Sequence, residues 1–231
     1  MTTPNFTANS PIFGGVNVLF IGTPQFQLLL RAINSSEEIR SRVKAFADAG
    51  GTFRSGGSFD EDGSALDPRL HFVHAKTVDG VVTPPSIQMS DDYFVLFRDD
   101  RRTEEVRLAE QVRVVGHEVS HASRSEAVLA ENNAAYQTYW DSNRNQTAIN
   151  NYVNSSVTIG VGDESRAYAD DWNNLARAGF TRQQIVNALP EEQRGMAQFA
   201  DPVTNLIDVS NAAVMASARA FICHNAPCAS P

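Results

Sequence analysis

The spacing of apolar positions changes about halfway along the chain. Before residue 100 they come in short runs: Val16 to Ile21, Leu70 to Ala75, Ser86 to Met89 and Tyr93 to Arg98. Short runs bounded by Gly, Pro, Asn and Asp predict strands, and Val16 to Ile21 reads as a buried one. Asp79-Gly80 is a hairpin signal ahead of Val81-Val82. One helix is predicted in this half. Ser35 caps it, Glu38 stands three residues on, and Gly50-Gly51 close it. Residues 52 to 68, rich in Gly, Ser and Asp, read as a loop.

From Thr103 the period becomes helical. Val106, Ala109, Val112, Val115 and Val119 recur at spacings of three and four. Glu104 and Glu105 occupy the first turn, where negative charge suits the helix dipole. Further helices are predicted over Ser125 to Trp140, Asp163 to Ala178, Thr181 to Leu189 and Pro202 to Cys223. Gly179 stops the second of these, and Thr181 with Gln184 forms a capping box for the third. Strands with one helix first, then mainly helices, predict an α+β fold. No linker divides the chain, so residues 1–231 read as one domain whose first ten residues are flexible.

Composition narrows the classes. With 42% hydrophobic and 20% charged residues the chain can build a core. The net charge is −8, 27 acidic residues against 19 basic, and no basic cluster occurs, which disfavours nucleic acid as a partner. No apolar run approaches the roughly 18 residues needed to span a bilayer. The start, Met1-Thr2-Thr3-Pro4-Asn5, lacks the basic and apolar regions of a signal peptide. The expected product is cytoplasmic as made, exported without a cleaved signal, or a piece of a longer chain. Two cysteines, Cys223 and Cys228, are too few for a disulfide scaffold. A small loop disulfide and two free thiols are equal expectations, and Cys223-His224-Asn225-Ala226-Pro227-Cys228 lacks the second half of a zinc finger.

The chemistry-bearing motif is His117-Glu118-Val119-Ser120-His121. Residues four apart on a helix project from one face, one turn apart. Both imidazoles can then bind one Zn²⁺ per chain at about 2.0 Å. Glu118 lies close to that face and can act as general base towards a water held by the metal, then carry the proton to the leaving amine. Gly116 allows close packing against the helix. A third ligand must come from elsewhere, because position 127 is Ala127 and no histidine occurs between His121 and His224. Glu164 is the best candidate. It stands at the start of a predicted helix capped by Gly162 or Asp163, with Tyr168 and Asp171 on the same face. Asp171 could accept a histidine N–H behind the metal. Asp163, Asp170 and His224 are reserve ligands, and Glu164 also suits a first-turn acid facing the helix dipole. Tyr168 reads either as core or as a hydroxyl stabilising the tetrahedral oxyanion, a role for which Tyr136, Tyr152 and His224 are comparable. His71 and His74, three apart on a predicted strand, point to opposite faces and read as structural. Ser86 to Met89 or Tyr93 to Arg98 is the natural edge strand bordering a substrate cleft.

The motif, followed over forty residues later by Glu164-Ser165-Arg166-Ala167-Tyr168, resembles gluzincin-type zinc peptidases. More narrowly it resembles the bacterial effector metallopeptidases injected by type III systems or carried as C-terminal toxin domains on type VI spike proteins. The resemblance covers about residues 86 to 172. It implies a zincin-like domain with a small N-terminal sheet and a mainly helical C-terminal part. It also implies His117, His121 and Glu164 as zinc ligands and Glu118 as base. Many gluzincins carry an aspartate four residues after the ligand glutamate, where this chain has Tyr168. The implied activity is that of an endopeptidase toxin or effector acting on protein or peptide in a target cell, in host cytosol or bacterial periplasm. An immunity protein or a secretion apparatus would be its partner. Two other readings stand beside it: a housekeeping cytoplasmic zinc peptidase, and a non-catalytic module stabilised by zinc.

Overall fold

Element boundaries follow from local chemistry. In the computed structural model the described residues are 2–56, 70–73, 76–78, 81–90, 93–94, 102–141 and 146–225. Three helices come first: α1 (Val18–Ile21), α2 (Pro24–Ile33) and α3 (Glu37–Asp48). Each opens on a side-chain cap. Asn17 accepts from the Leu19 amide, Thr23 from Phe26, and Ser36 from Ile39. Pro24 at the first position of α2 has the backbone preset for a helix start. Within the first ten residues, read as flexible, Thr3 and Phe6 are docked on these helices. The Thr3 amide donates to Glu37, and Phe6 exchanges hydrogen bonds with the Asn34 side chain.

The sheet is small. β1 (Thr52–Ser55) runs parallel to β5 (Ser86–Met89), and β2 (Leu70–Val73) pairs antiparallel on the other side of β5, giving the order β1-β5-β2 with Phe72 opposite Ile87. A separate hairpin joins β3 (Lys76–Val78) to β4 (Val81–Thr83); its predicted turn, Asp79-Gly80, lies outside the described residues. Two long helices follow, α4 (Glu104–Asp141, 38 residues) and α5 (Gln146–Arg177, 32 residues), then α6 (Arg182–Ala188) and α7 (Ala212–Asn225), with 3₁₀ turns at Pro11–Phe13 and Glu191–Phe199. The architecture is α+β: mainly helical with a small three-stranded sheet. Among the described residues no helix is long and apolar enough to cross a membrane.

One core joins the parts. Phe13, Phe26, Phe46, Phe53 and Phe72 interlock between α2, α3 and the sheet with ring centroids 5.2–6.2 Å apart. Val112, Val115 and Val119 of α4 continue that core to Trp172 and Leu175 of α5, all fully buried. The Trp172 indole N–H ends on the Asn205 carbonyl, so its polar edge is satisfied.

Several elements differ from expectation. Val16 to Ile21 is not a buried strand. Asn17 caps a one-turn helix inside it, and Val18 and Leu19 are each 78% exposed. The cap of α3 is Ser36, one residue past Ser35. β1 lies within the predicted loop, because fully buried Phe53 pairs in register with Ile87. Tyr93 and Phe94 are helical; residues 95–98 lie outside the described set. Ser125 to Trp140 is a continuation of α4. The helix expected to start at Asp163 begins at Gln146, so Asp163 and Gly162 are interior and cap nothing. Gly160 and Gly162 weaken a helix by roughly 1 kcal/mol each, and packing along α4 overrides them. Residues 202–210 precede α7 as turns built on Asp201 and Asp208, whose carboxylates accept from the amides just ahead.

Candidate metal site

The site lies where α4 and α5 pack together. A Cβ on Gly116 would come within 2.3 Å of the Asn174 amide, so only glycine allows this spacing. One residue on, His117 faces α5, and His121 follows a turn later; both are buried. Glu164 faces them. Its Oε2 lies 3.4 Å from His117 Nε2 and its Oε1 3.3 Å from His121 Nε2. One atom from each residue gives a set no more than 4.8 Å apart, a group that could hold a metal ion.

The donor set fits a metal. The 3.3 and 3.4 Å separations, each to a different oxygen of the one carboxylate, are long for hydrogen bonds and leave room between the three groups for an ion bound at about 2.0–2.1 Å. Both histidines have their other nitrogen occupied. His117 Nδ1 lies 3.2 Å from Asp171 Oδ1, and His121 Nδ1 lies 2.6 Å from Asp163 Oδ2. A proton held on Nδ1 by a carboxylate leaves the Nε2 lone pair aimed at the centre.

Those carboxylates are themselves held. Arg124 donates to Asp163 at 2.9 Å and reaches Asp170 at 3.3 Å, and Arg42 of α3 reaches Asp170 at 3.3 Å and the Ser120 hydroxyl at 2.7 Å. Ser120 Oγ also lies 3.1 Å from Asp170. Arg113 pairs with Asp171 at 3.7 Å. Three arginines thus offset a dense set of acids, with α3 locked to α4 and α5.

Charge states follow from burial and these partners. Burial works against the imidazolium at His117, but Asp171 and Glu164 outweigh it and raise its pKa well above the usual value. The same balance, with Asp163 and Glu164 as partners, raises His121 to about 9. Burial opposes charge at Glu164 too, yet the two histidines hold its carboxyl well below the ordinary range. Glu118 is raised, first by burial, with His117 and His121 opposing. Its Oε2 accepts the Phe72 amide of β2 at 2.8 Å. Burial, then Glu164 and Asp171, pushes Tyr168 up to about 12.

The expected residues meet unevenly. His117, His121, Glu118, Glu164, Tyr168 and Asp171 come together, the Tyr168 ring resting edge-on against His117 at 4.7 Å and against Phe221 at 4.9 Å. Of the reserve ligands, Asp163 sits behind His121 and Asp170 beside Ser120, and both face arginines. Tyr136 and Tyr152 pack on each other at 5.7 Å, with Tyr136 fifteen residues beyond His121, about 22 Å along α4. The His71, Cys223 and His224 side chains, His74 and Cys228 lie outside the described residues. The edge strand beside the motif helix is β2, because β5 is central. Sequence reasoning missed Asp163 as the partner of His121 and missed Arg42, Arg124 and Ser120. Arg124, three residues after His121 and so on the same helix face, was the available signal.

A cavity of about 460 Å³ opens over the cluster. Phe72 and Val73 of β2 wall one side, and it continues between α4 and α5 past Val128, Asn132, Ser156 and Gly160. Comparison with protein-family models, curated proteins and solved structures finds no match.

Proposed function

We propose that this protein is a zinc-dependent peptide hydrolase, with His117, His121 and Glu164 as zinc ligands and Glu118 as general base. The observation that carries this reading is the convergence of two Nε2 atoms and one carboxylate at the mouth of an open cleft, each histidine backed by a buried aspartate. Zinc, when bound, polarises a carbonyl and lowers the pKa of water. Glu118 borders the same cavity, and burial keeps its carboxylate basic enough to take a proton from the attacking water and return it to the leaving amine. The Phe72 amide holds that carboxylate in place. Tyr168, whose raised pKa keeps it protonated, offers an O–H to the oxygen of the tetrahedral carbon.

A closed structural zinc site would need four protein ligands. Among the described residues three are found, and they face a cavity, which favours catalysis over a non-catalytic module. The resemblance to effector and toxin peptidases extends the proposal to a secreted bacterial effector acting on protein or peptide, with cytoplasmic housekeeping as the competing role. The test is elemental analysis with a peptidase assay. Zinc-supplemented protein is expected to hold about one zinc per chain and to cleave peptides, and Glu118→Ala is expected to keep the zinc and lose cleavage. Protein without metal would refute the reading.

A further inference from the structure

The face of α5 that carries Glu164 continues past the ligand cluster. Residues seven and eleven positions apart on a helix fall within about 20° of one line. Seven and eleven positions before Glu164 stand Val157 and Val153. They lie about 10 and 16 Å along the axis from it. Both are apolar and open to solvent, Val157 40% and Val153 51% exposed. Gly160 lies between them and the centre and borders the cleft. It is exposed, and a Cβ there would meet nothing within 4 Å, so nothing stands across the way. On α4 the cleft reaches Asn132, and one turn beyond it stands Tyr136. The Tyr136 ring packs on Tyr152, the neighbour of Val153, and is still 46% exposed. The far end of the stripe is thus bordered from both helices.

The sequence of this stretch holds no charge. α5 has no charged residue from Gln146 to Gly162, and α4 has none from Asn132 to Trp140. In a chain of net charge −8, that favours an occupant held by apolar contact over one held by ion pairs. Two half-exposed valines and one tyrosine fall far short of the roughly 1,200–2,000 Å² that a stable dimer buries, so they serve a second copy poorly. They suit a narrow occupant already held at the centre. An extended chain rises about 3.3 Å per residue and puts alternate side chains on one face. Its third and fifth residues from the bond attacked would reach Val157 and Val153 from that one face. We infer that the Val157–Val153 stripe is a docking track for the substrate chain on one side of the bond attacked. The substrate class it selects is extended polypeptide with apolar side chains about three and five residues from that bond. The inference rests on the zinc reading above.

The experiment uses zinc-loaded full-length protein, acetohydroxamate, and two pairs of uncharged six-residue peptides ending in a hydroxamate. In one pair the chain runs from the hydroxamate on its amino side, as a peptidyl hydroxamate. In the other it runs on the carboxyl side, through a succinyl hydroxamate. Within each pair the third and fifth residues from the hydroxamate are both leucine or both serine. Zinc content and sedimentation are measured beside every affinity. In one of the two pairs the leucine probe is expected to bind the parent roughly tenfold more tightly than the serine probe, from apolar area buried on the two valines. The double variant Val153→Ser with Val157→Ser, at half-exposed positions, should bring that pair to within about threefold while zinc content and acetohydroxamate binding stay as in the parent. Leucine and serine probes bound alike in both pairs, or a preference that survives in the double variant at full zinc content, would overturn the track and leave the metal reading standing. A parental dimer that the double variant makes monomeric, with no leucine preference, would give the stripe to a second copy and overturn the track as well. Protein that takes up neither zinc nor acetohydroxamate would overturn both readings.

Discussion

At the scale of single residues, the site separates groups that face the centre from groups that hold them. Glu164→Ala removes a carboxylate whose two oxygens each approach one histidine. It should weaken zinc by more than the roughly 10–100-fold typical of a supporting carboxylate. Asp171→Ala and Asp163→Ala should each fall inside that range, because each fixes one imidazole through Nδ1. The sequence placed only Asp171 in such a role; the structure puts Asp163 on the same footing. Asp170→Ala should cost least, since it contacts Arg42, Arg124 and Ser120 but no ligand. A chelator competition titration ranks the four, and an Asp170 variant that lost zinc while Glu164→Ala kept it would refute this division.

At the scale of elements, α4 and α5 work as one unit, and their spacing depends on a missing side chain. Gly116→Ala would drive a Cβ to within 2.3–2.8 Å of the fully buried Asn174 side chain. It should destabilise the fold by about 1–3 kcal/mol and, by spreading the helices, weaken zinc as well. Thermal melting with zinc titration measures both; an unchanged melting point would show that the helices are not held this close. The motif helix was legible in the sequence because its apolar residues keep a helical period and its histidines are four apart. The length of α5 was not, because Gly162 or Asp163 reads as a cap when only local propensity is weighed. Neither β1 nor α1 was legible. Phe53 becomes a strand residue through a partner over thirty residues away, and Val18 and Leu19 form an apolar pair that the fold leaves in solvent. The place of Glu164 opposite the two histidines was reachable from spacing and resemblance. The tie from Arg42 to Asp170 was not, since that contact joins residues 128 positions apart.

At the scale of the whole molecule, stability and metal binding should answer to pH in opposite senses. In the metal-free protein His121 has its pKa raised from 6.5 to about 9 and His117 is raised well above its usual value. A group raised on folding contributes stability that is complete below its unfolded pKa and fades as pH climbs through its folded one. The metal-free fold should therefore lose stability between about pH 6.5 and 9. Glu164 is lowered, so its contribution is constant across this window and is lost only in acid. Zinc takes the place of the imidazole protons, so its apparent affinity should rise over the same window, by up to about tenfold per pH unit for each proton displaced. Ligand binding to the native state raises its stability by mass action. The melting point without metal should thus fall from pH 6.5 to 9 while the increment on adding a fixed excess of zinc grows. Melting curves at pH 6.5, 7.5 and 8.5, with zinc and with chelator, measure both slopes. A zinc increment independent of pH would mean that the metal displaces no imidazole protons, and that His117 and His121 do not hold it.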